Sequence, residues 1–365
     1  MPQFKIAIIG SGMIAQTAHI PAWQALWNDA QVVACSDIVE HRVNWVSKQF
    51  GIPHAFTDWR RMLAEIKPDI VSVCTPNAYH KEHTIGALKA GAHVLCEKPV
   101  AVCRAEAAEM YGAAEKAGRL LFVGQSMRFF NRSRAAKEIA DSGRLGEVYF
   151  ADAHFLRRRG IPTWGQFHQK EHSGGGPIYD LGVHIMDMLF WLMGNPAVSA
   201  VSGATYTKLA LRDEKLLTSW SDSGAPAGVQ TPGQYNQSEF NVEDMAAAFI
   251  RLKDGPTISF RTSWAANIPK NTFGLTMLGT EGGLVLDPLT LITNIGSLQV
   301  DMTPQVPEEA RKSDFAGHFI ETAHFVRVLR GYEPLLVKRE EVLNVMGVLD
   351  ALYKSAAEGR EIRLG

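Results

Sequence analysis

The chain has 365 residues, 46% hydrophobic and 21% charged, with a formal net charge of −1. That length suits two domains better than one, and the balance lacks the basic stripe that nucleic acid or an anionic membrane surface demands. No stretch approaches the roughly 20 unbroken apolar residues that span a bilayer, and the start MPQFKIAIIG reads as a strand rather than a leader, so the cytoplasm is the default expectation. Cys35, Cys74, Cys96 and Cys103 form no C-x-x-C pair; they read as small buried hydrophobes of a reducing compartment, not as a disulfide frame or zinc site.

The first third alternates apolar runs with helical patterns. FKIAIIG (4–10), VVACSD (32–37), IVSVCTP (70–76), HVLCEKP (93–99) and LLFVGQ (120–125) are continuous and rich in β-branched residues, as strands covered on both faces are. Between them lie the helix candidates HRVNWVSKQFG (41–51) and YHKEHTIGALKAG (79–91), each stopped by Gly. This β-α-β-α rhythm predicts a doubly wound α/β domain over residues 1–125. Its first strand ends in Gly10-Ser11-Gly12-Met13-Ile14-Ala15, the G-x-G-x-x-A form of the dinucleotide fingerprint. Gly10 permits the tight turn, Gly12 lets backbone approach a pyrophosphate, and Ala15 lets helix lie on strand, which places the anion on a helix N-terminus. Asp37 ends the second strand, where a carboxylate takes ribose hydroxyls and repels a 2′-phosphate; NAD is therefore favoured, although the nearby Arg42 leaves NADP open. Glu97-Lys98-Pro99 stands at the carboxyl end of a buried strand, the edge where open α/β sheets bind ligands. There Lys98 can donate to a substrate oxygen or shuttle a proton, and Pro99 holds Lys98 extended and permits a cis bond.

Residues 126–365 change rhythm. A helix over 131–142 precedes EVYFADAHFLRRR (147–159), and further strand candidates follow at 197–209, 243–252, 257–266, 272–279 and 282–288. Their Gly-, Pro- and Asp-bearing turns argue mostly antiparallel pairing, and helices over 314–330 and 339–358 close the chain, the last of them able to pack back on the first domain. The second domain is thus α+β with a large open sheet. Residues 210–240 are rich in Ser, Gly, Pro and Gln and too long for a plain connection, which reads either as a lid or subunit contact or as a simple insertion.

Within this half, GGGPIYDLGVHIMD (174–187) sets three glycines before an apolar segment carrying Asp180, His184 and Asp187. Leu, Val, Ile, Met, Phe and Trp surround the helix expected from Tyr179 to Met193, so it is buried nearly all round. On a regular α-helix the three ionisable residues share one stripe. Buried ionisable groups must be paired, hydrogen-bonded or neutralised, so the stripe reads as a pocket wall, with the glycines making room for a ligand. Gly182 costs about 1 kcal/mol against Ala inside a helix and reads as the seat of a nicotinamide or sugar ring. Asp187 is assigned to structure.

The glycine turn, Thr75-Pro76-Asn77 with His80 beyond, Glu97-Lys98-Pro99, and the glycine run before Asp180-x-Gly182-x-His184 together resemble the Gfo/Idh/MocA oxidoreductases over essentially the whole chain. The resemblance implies a Rossmann domain and nicotinamide-dependent oxidation of a sugar or polyol, with Lys98, Asp180 and His184 as the catalytic set. It also implies that Thr75, Pro76, Asn77, His80, Glu97 and Lys98 join Gly10, Gly12, Met13, Ile14 and Asp37 around the cofactor. Homo-oligomers, dimer or tetramer, through the open sheet face are implied as well. Within the family, LRRRGIPTWG (156–165) ahead of the glycine run is similar to the branch of D-glucoside 3-dehydrogenases and scyllo-inositol or L-glucose dehydrogenases, while Tyr179, His168 and His172 depart from the usual pattern.

The chemistry expected is hydride transfer from a secondary carbinol carbon, coupled to loss of the hydroxyl proton. His184 suits the base, Asp180 orients it, and Lys98 stabilises developing negative charge; the sequence leaves open whether Lys98 or His184 is the formal base. Arg128, Arg157 and Trp164 flank the expected cleft as sugar contacts, with donor forks for hydroxyls and a flat face for ring C–H groups. His80-x-x-His83 and the pair His168 and His172 have helical spacing but no third ligand beside them, so no metal is assigned. Two rivals stand beside the dehydrogenase: a glycoside hydrolase working by C3 oxidation and elimination, and a non-catalytic sugar or NAD sensor, which the presence of Lys98 and His184 disfavours.

Overall fold

The computed structural model describes residues 3–212, 235–309 and 315–365. Most of the 210–240 segment, residues 213–234, lies outside the described residues. Strands β1 (Phe4–Ile9), β2 (Ala30–Ser36), β3 (His54–Phe56), β4 (Ile70–Val73), β5 (His93–Glu97) and β6 (Leu121–Gly124) form one sheet. Their order is β3-β2-β1-β4-β5-β6, with every neighbouring pair parallel. Only β3 departs from the strands expected; its three residues, HAF, offer no β-branched run. Helices α1 (Ile20–Ala25), α2 (Glu40–Phe50), α3 (Trp59–Ile66), α4 (His80–Lys89) and α5 (Arg104–Ala117) cross between strands. The order reverses between β1 and β4, so the crevice above their carboxyl ends is the topological switch point where such sheets bind ligands.

The second half contributes α6 (Asn131–Asp141), β7 (Val148–Leu156), α7 (Lys170–Ser173), α8 (Val183–Leu192) and β8 (Val198–Tyr206). Then follow β9 (Met245–Leu252), β10 (Thr257–Ser263), β11 (Thr272–Gly279), β12 (Gly283–Leu286), β13 (Leu289–Ile295) and β14 (Leu298–Met302). The chain closes with α9 (Ala316–Leu329), α10 (Arg339–Glu358) and β15 (Ile362–Arg363). Their strands build a nine-stranded sheet, β14-β13-β12-β11-β7-β10-β9-β8-β15, antiparallel except between β7 and β10. Helices α6, α8 and α10 cover one face, onto which β7 turns the buried Ala151 and Ala153; Phe150, Asp152 and His154 alternate with these and point to the opposite face. Every residue of α8 is buried except His184.

Helix α9 leaves this domain and packs on α1 and β6 of the first, where Phe325 stacks on Phe122 with ring centroids 5.2 Å apart. The last helix, α10, lies on α8 and β8 and also packs back on α5 of the first domain, where the Arg104 N–H donates to Asp350 at 2.9 Å. Among the described residues no helix is long and apolar enough to cross a membrane.

Arg128, just beyond β6, is locked between α8 and α10 of the second half, and here the structure corrects the sequence reading. Its guanidinium has no exposed surface. It donates to both Asp187 carboxylate oxygens, at 2.7 and 2.6 Å, and to Glu341 on α10, so it is not offered to a substrate. Breaking a buried ion cluster by removing one partner leaves uncompensated charge and costs about 3–5 kcal/mol. Arg128→Met is therefore expected to lower the unfolding midpoint in urea by that equivalent, and an unchanged midpoint would contradict the structural role.

Candidate active site

The cofactor side begins at the turn after β1. Gly10 has φ of +89°, and a Cβ there would stand 2.8 Å from Cys74 backbone and from the Thr75 methyl. At Gly12 an added Cβ would meet nothing within 4 Å, which leaves the open approach a pyrophosphate needs. The chain then turns helical at Met13 and Ile14, wide (π) over Ala15–His19 and regular in α1. Asp37, at the end of β2, accepts the Ser11 and Val39 N–H groups, both at 2.9 Å, and Nε and Nη2 of Arg42. Its carboxylate thus shapes the glycine turn directly. Thr75, exposed Pro76 and Asn77 follow β4 along the same edge; the Thr75 hydroxyl pairs with His83 at 3.0 Å, and Asn77 donates to the Ser173 carbonyl of the other half at 2.8 Å.

Two expected cofactor contacts face protein instead. His80 is fully buried, its ring nitrogens 2.8 Å from the Pro99 carbonyl and 2.7 Å from that of Thr75; it braces the two strand-end loops against each other. Glu97 turns its carboxylate inward, onto the ring Nε2 of His19 at 2.7 Å and of His318 at 3.4 Å.

Lys98, joined to Pro99 by a cis peptide bond, reaches across to the second half. Its Nζ lies 3.0 Å from the Asp180 carbonyl and 3.5 Å from Asp180 Oδ1. The indole of Trp264, just beyond β10, donates to the other carboxylate oxygen at 2.8 Å. Burial pushes the Asp180 carboxyl up, but the charges of Lys98 and Arg157 and the Trp264 hydrogen bond outweigh it and hold the group below its usual range. One helical turn on, the His184 Nδ1 has no hydrogen-bond partner. Burial, seconded by the Lys98 charge, lowers this imidazole to about 3, so its ring is neutral.

The backbone that carries Asp180 is a wide π-turn, Ile178–Gly182, ahead of α8, not the regular α-helix expected. Glu243 fixes its entry by accepting Gly176 and Ile178 N–H at 3.0 and 3.2 Å and the Tyr353 hydroxyl at 2.9 Å. Asp180 and His184 serve the cleft, while Asp187 is spent on Arg128. The glycines also make room for protein, not ligand. A Cβ on Gly174 would meet Val102, on Gly175 the Tyr353 hydroxyl, and on Gly176 the Glu243 carbonyl; at Gly182 it would stand 2.9 Å from the Phe260 ring. The bare backbone thus lets the π-turn settle against β10, α10 and the first domain.

On the substrate side, Arg157 donates to the Gly160 carbonyl at 3.2 Å and lends its charge to Asp180. Trp164 is buried edge-on against Phe167, ring centroids 4.9 Å apart. A satellite apolar cluster, including Ile161, Leu181, Phe240 and Trp264, backs this wall. Trp264, His19, His318 and Glu321 escaped the sequence reading. A Trp at the carboxyl end of a predicted strand was the available signal for the first; the others show only when α9 is seen on the first domain. His172 Nδ1 pairs with the Tyr79 hydroxyl at 2.8 Å, and His168 packs on Tyr235.

A parallel sheet with a glycine turn at its switch point, facing a lysine, a carboxylate and a neutral imidazole, defines the class of NAD-binding Rossmann oxidoreductases. Residues 4–125 match the family described as "Oxidoreductase family, NAD-binding Rossmann fold" and residues 133–285 the "GFO/IDH/MocA C-terminal domain". The chain belongs to the Gfo/Idh/MocA family. It is 31% identical to the D-glucoside 3-dehydrogenase of Escherichia coli K12 over 362 residues, 99% of this chain and 97% of the relative. It is 25% identical to the scyllo-inositol 2-dehydrogenase (NADP(+)) IolW of Bacillus subtilis 168, over 99% and 96% of the two chains. Among solved structures, a levoglucosan dehydrogenase complex with NADH and levoglucosan superposes with a TM-score of 0.82 at 22% identity, each chain covered to 99%.

Because His184 is lowered from 6.5 to about 3 in the folded protein, the unfolded chain takes up this proton first on acidification. The associated stability is complete above about pH 6.5 and is lost as pH falls toward the folded value, by up to about 1.4 kcal/mol per pH unit. Chemical denaturation at pH 7, 6 and 5 is expected to show this decline, shallower in His184→Asn; equal slopes would show that the imidazole is not desolvated.

Proposed function

We propose that this chain is an NAD-dependent dehydrogenase that oxidises a secondary hydroxyl of a sugar, glycoside or inositol. The observation that carries the reading is the meeting of Lys98, Asp180 and His184 at the carboxyl edge of β5, beside a glycine turn whose Gly12 stands open. When bound, nicotinamide supplies the hydride acceptor. The substrate hydroxyl gives its proton to the neutral His184 imidazole as the C–H bond breaks. Lys98 donates to the same oxygen and stabilises the charge that develops there. Asp180, gripped by Trp264, keeps the amine aimed into the cleft. The similarity to a D-glucoside 3-dehydrogenase makes the 3-hydroxyl of a glucoside the first candidate position.

For the finer cofactor choice, Asp37 supports NAD over NADP: a buried carboxylate ends β2, where the ribose is expected, and it holds Nε and Nη2 of Arg42. A homo-oligomer assembled through the open sheet face is supported by the resemblance and by the outward Phe150, Asp152 and His154 of β7.

Inositols, free hexoses and glucosides assayed with NAD and NADP are expected to give a keto product with stoichiometric NADH. Lys98→Ala and His184→Ala should each lower kcat by about a hundredfold or more; full turnover in both would remove the assigned chemistry. Free aglycone without net NADH would mark the hydrolase instead. Replacing Asp37 with Ser, which frees Arg42, should raise kcat/KM for NADP relative to NAD, and an unchanged ratio would clear Asp37 of that role.

A further inference from the structure

Below Lys98 lies a polar cluster that the chemistry above does not use. Glu97 is 5% exposed, and its carboxylate has three donors from three elements. His19 Nε2 is 2.7 Å away on the π-turn after the glycines, His318 Nε2 is 3.4 Å away in the first turn of α9, and the backbone N–H of Lys98 itself is 3.1 Å away. The close approach of α9 depends on Gly317, where a Cβ would collide with the Ser126 carbonyl, and Gly124 leaves space beside both Glu97 and Glu321. Among the described residues, His19, Glu97 and His318 form the one group of three whose ligand atoms lie within 4.8 Å of one another. Metal-bound histidines nearly always donate their second ring N–H, whereas Nδ1 of His19 and of His318 has no partner. The arrangement is that of a carboxylate held by two ring N–H groups.

We propose that His19 and His318 are positioning residues that grip Glu97 as a buried anion, and that Glu97 in turn fixes the Lys98 backbone and lends its negative charge to the reacting groups. The proposal rests on the reading that Lys98 and His184 act in turnover. Charged and titratable neighbours face Glu97 from every side: His19 on the π-turn, Cys74 after β4, His80 on α4, Cys96 and Lys98 beside it in the chain, His184 on α8, and His318 and Glu321 on α9. Burial pushes Glu97 up, but the hydrogen bonds and charges of His19 and His318 hold it well below the usual range. Glu321 is fully buried with neither oxygen bonded, and burial, with Glu97 beside it, drives it well above. One carboxyl is therefore ionised and its neighbour neutral, the division expected when two acids share a dry site. The Glu97 charge also raises the proton affinity of His184, against the Lys98 amine.

The test uses the full chain. Glu97→Gln keeps the shape and removes the charge; it is expected to lower kcat about tenfold or more, to leave the Kd for NAD within about twofold, and to move the pH limb of kcat downward. His318→Leu should lose activity likewise, and His318→Gln, which restores an N–H donor, should recover most of it. Wild-type kcat and an unmoved pH profile in Glu97→Gln would overturn the proposal. A readout independent of turnover comes from carboxyl-13C NMR of glutamate-labelled protein, with Glu97→Gln and Glu321→Gln as assignments. One signal should stay ionised well below pH 4.5, the ordinary glutamate value, and the other should stay neutral at pH 7. A neutral Glu97 at pH 6, or a stoichiometric metal lost in His19→Asn, would overturn the grip even in a protein that turned over no sugar.

Discussion

The molecule is organised around the Asp180 carboxylate, whose two oxygens look to different partners: Oδ1 to Lys98 of the first domain, Oδ2 to the indole beyond β10. Neither domain can present the lysine and the carboxylate alone. Lys98 is fixed by the end of β5, Asp180 by a π-turn that Glu243 pins from β9's entry, and Trp264 by the nine-stranded sheet. Partly withdrawn from water, with side chains 16% exposed on each partner, the pair interacts more strongly than a surface ion pair would. Packing of the two domains is therefore also the assembly of the cleft.

Much of this was legible in the sequence because it follows local rules. The parallel strands announced themselves as unbroken apolar runs, the glycine turn by its spacing, and Lys98 by standing at a strand's carboxyl end. What stayed hidden depends on which neighbour arrives from far along the chain. A run such as GGG declares that something approaches closely, yet sequence cannot say whether the visitor is a ligand or Tyr353 and Glu243. Arg128 reads as a free donor fork until Asp187 and Glu341 are found beside it. His80 lies in a family motif, but its ring has turned to two carbonyls. The π-turn at 178–182 stands where a regular helix is expected around Asp180. Strands β13 (LTLITNI) and β14 (LQVDM) escaped although both alternate in part; they are short runs at the sheet's edge, and β14 is largely exposed.

Buried charge recurs throughout and is resolved the same way each time. Arg128 meets two carboxylates, Asp37 meets a guanidinium and two backbone N–H groups, and Glu97 meets two imidazoles and one N–H. Each anion is matched by donors from several elements, which satisfies the general demand on buried ions and makes each cluster a clasp between segments distant in sequence. Glu321 is the exception: with no donor to ionise against, it stays protonated and adds no second negative charge beside Glu97.

The return of α9 onto the first domain has a consequence for how the protein is made. Phe122 of β6 is covered by Phe325, and Glu97 waits for His318; both partners lie some two hundred residues downstream. At ribosomal elongation of about 5–20 residues per second, the emerging nucleotide-binding half spends roughly 10–40 seconds with one flank bare and a half-dressed carboxylate beneath its lysine. Nascent chains of this protein thus pass through a stage in which the sheet is complete but unroofed, and that interval is when a chaperone has most to shield.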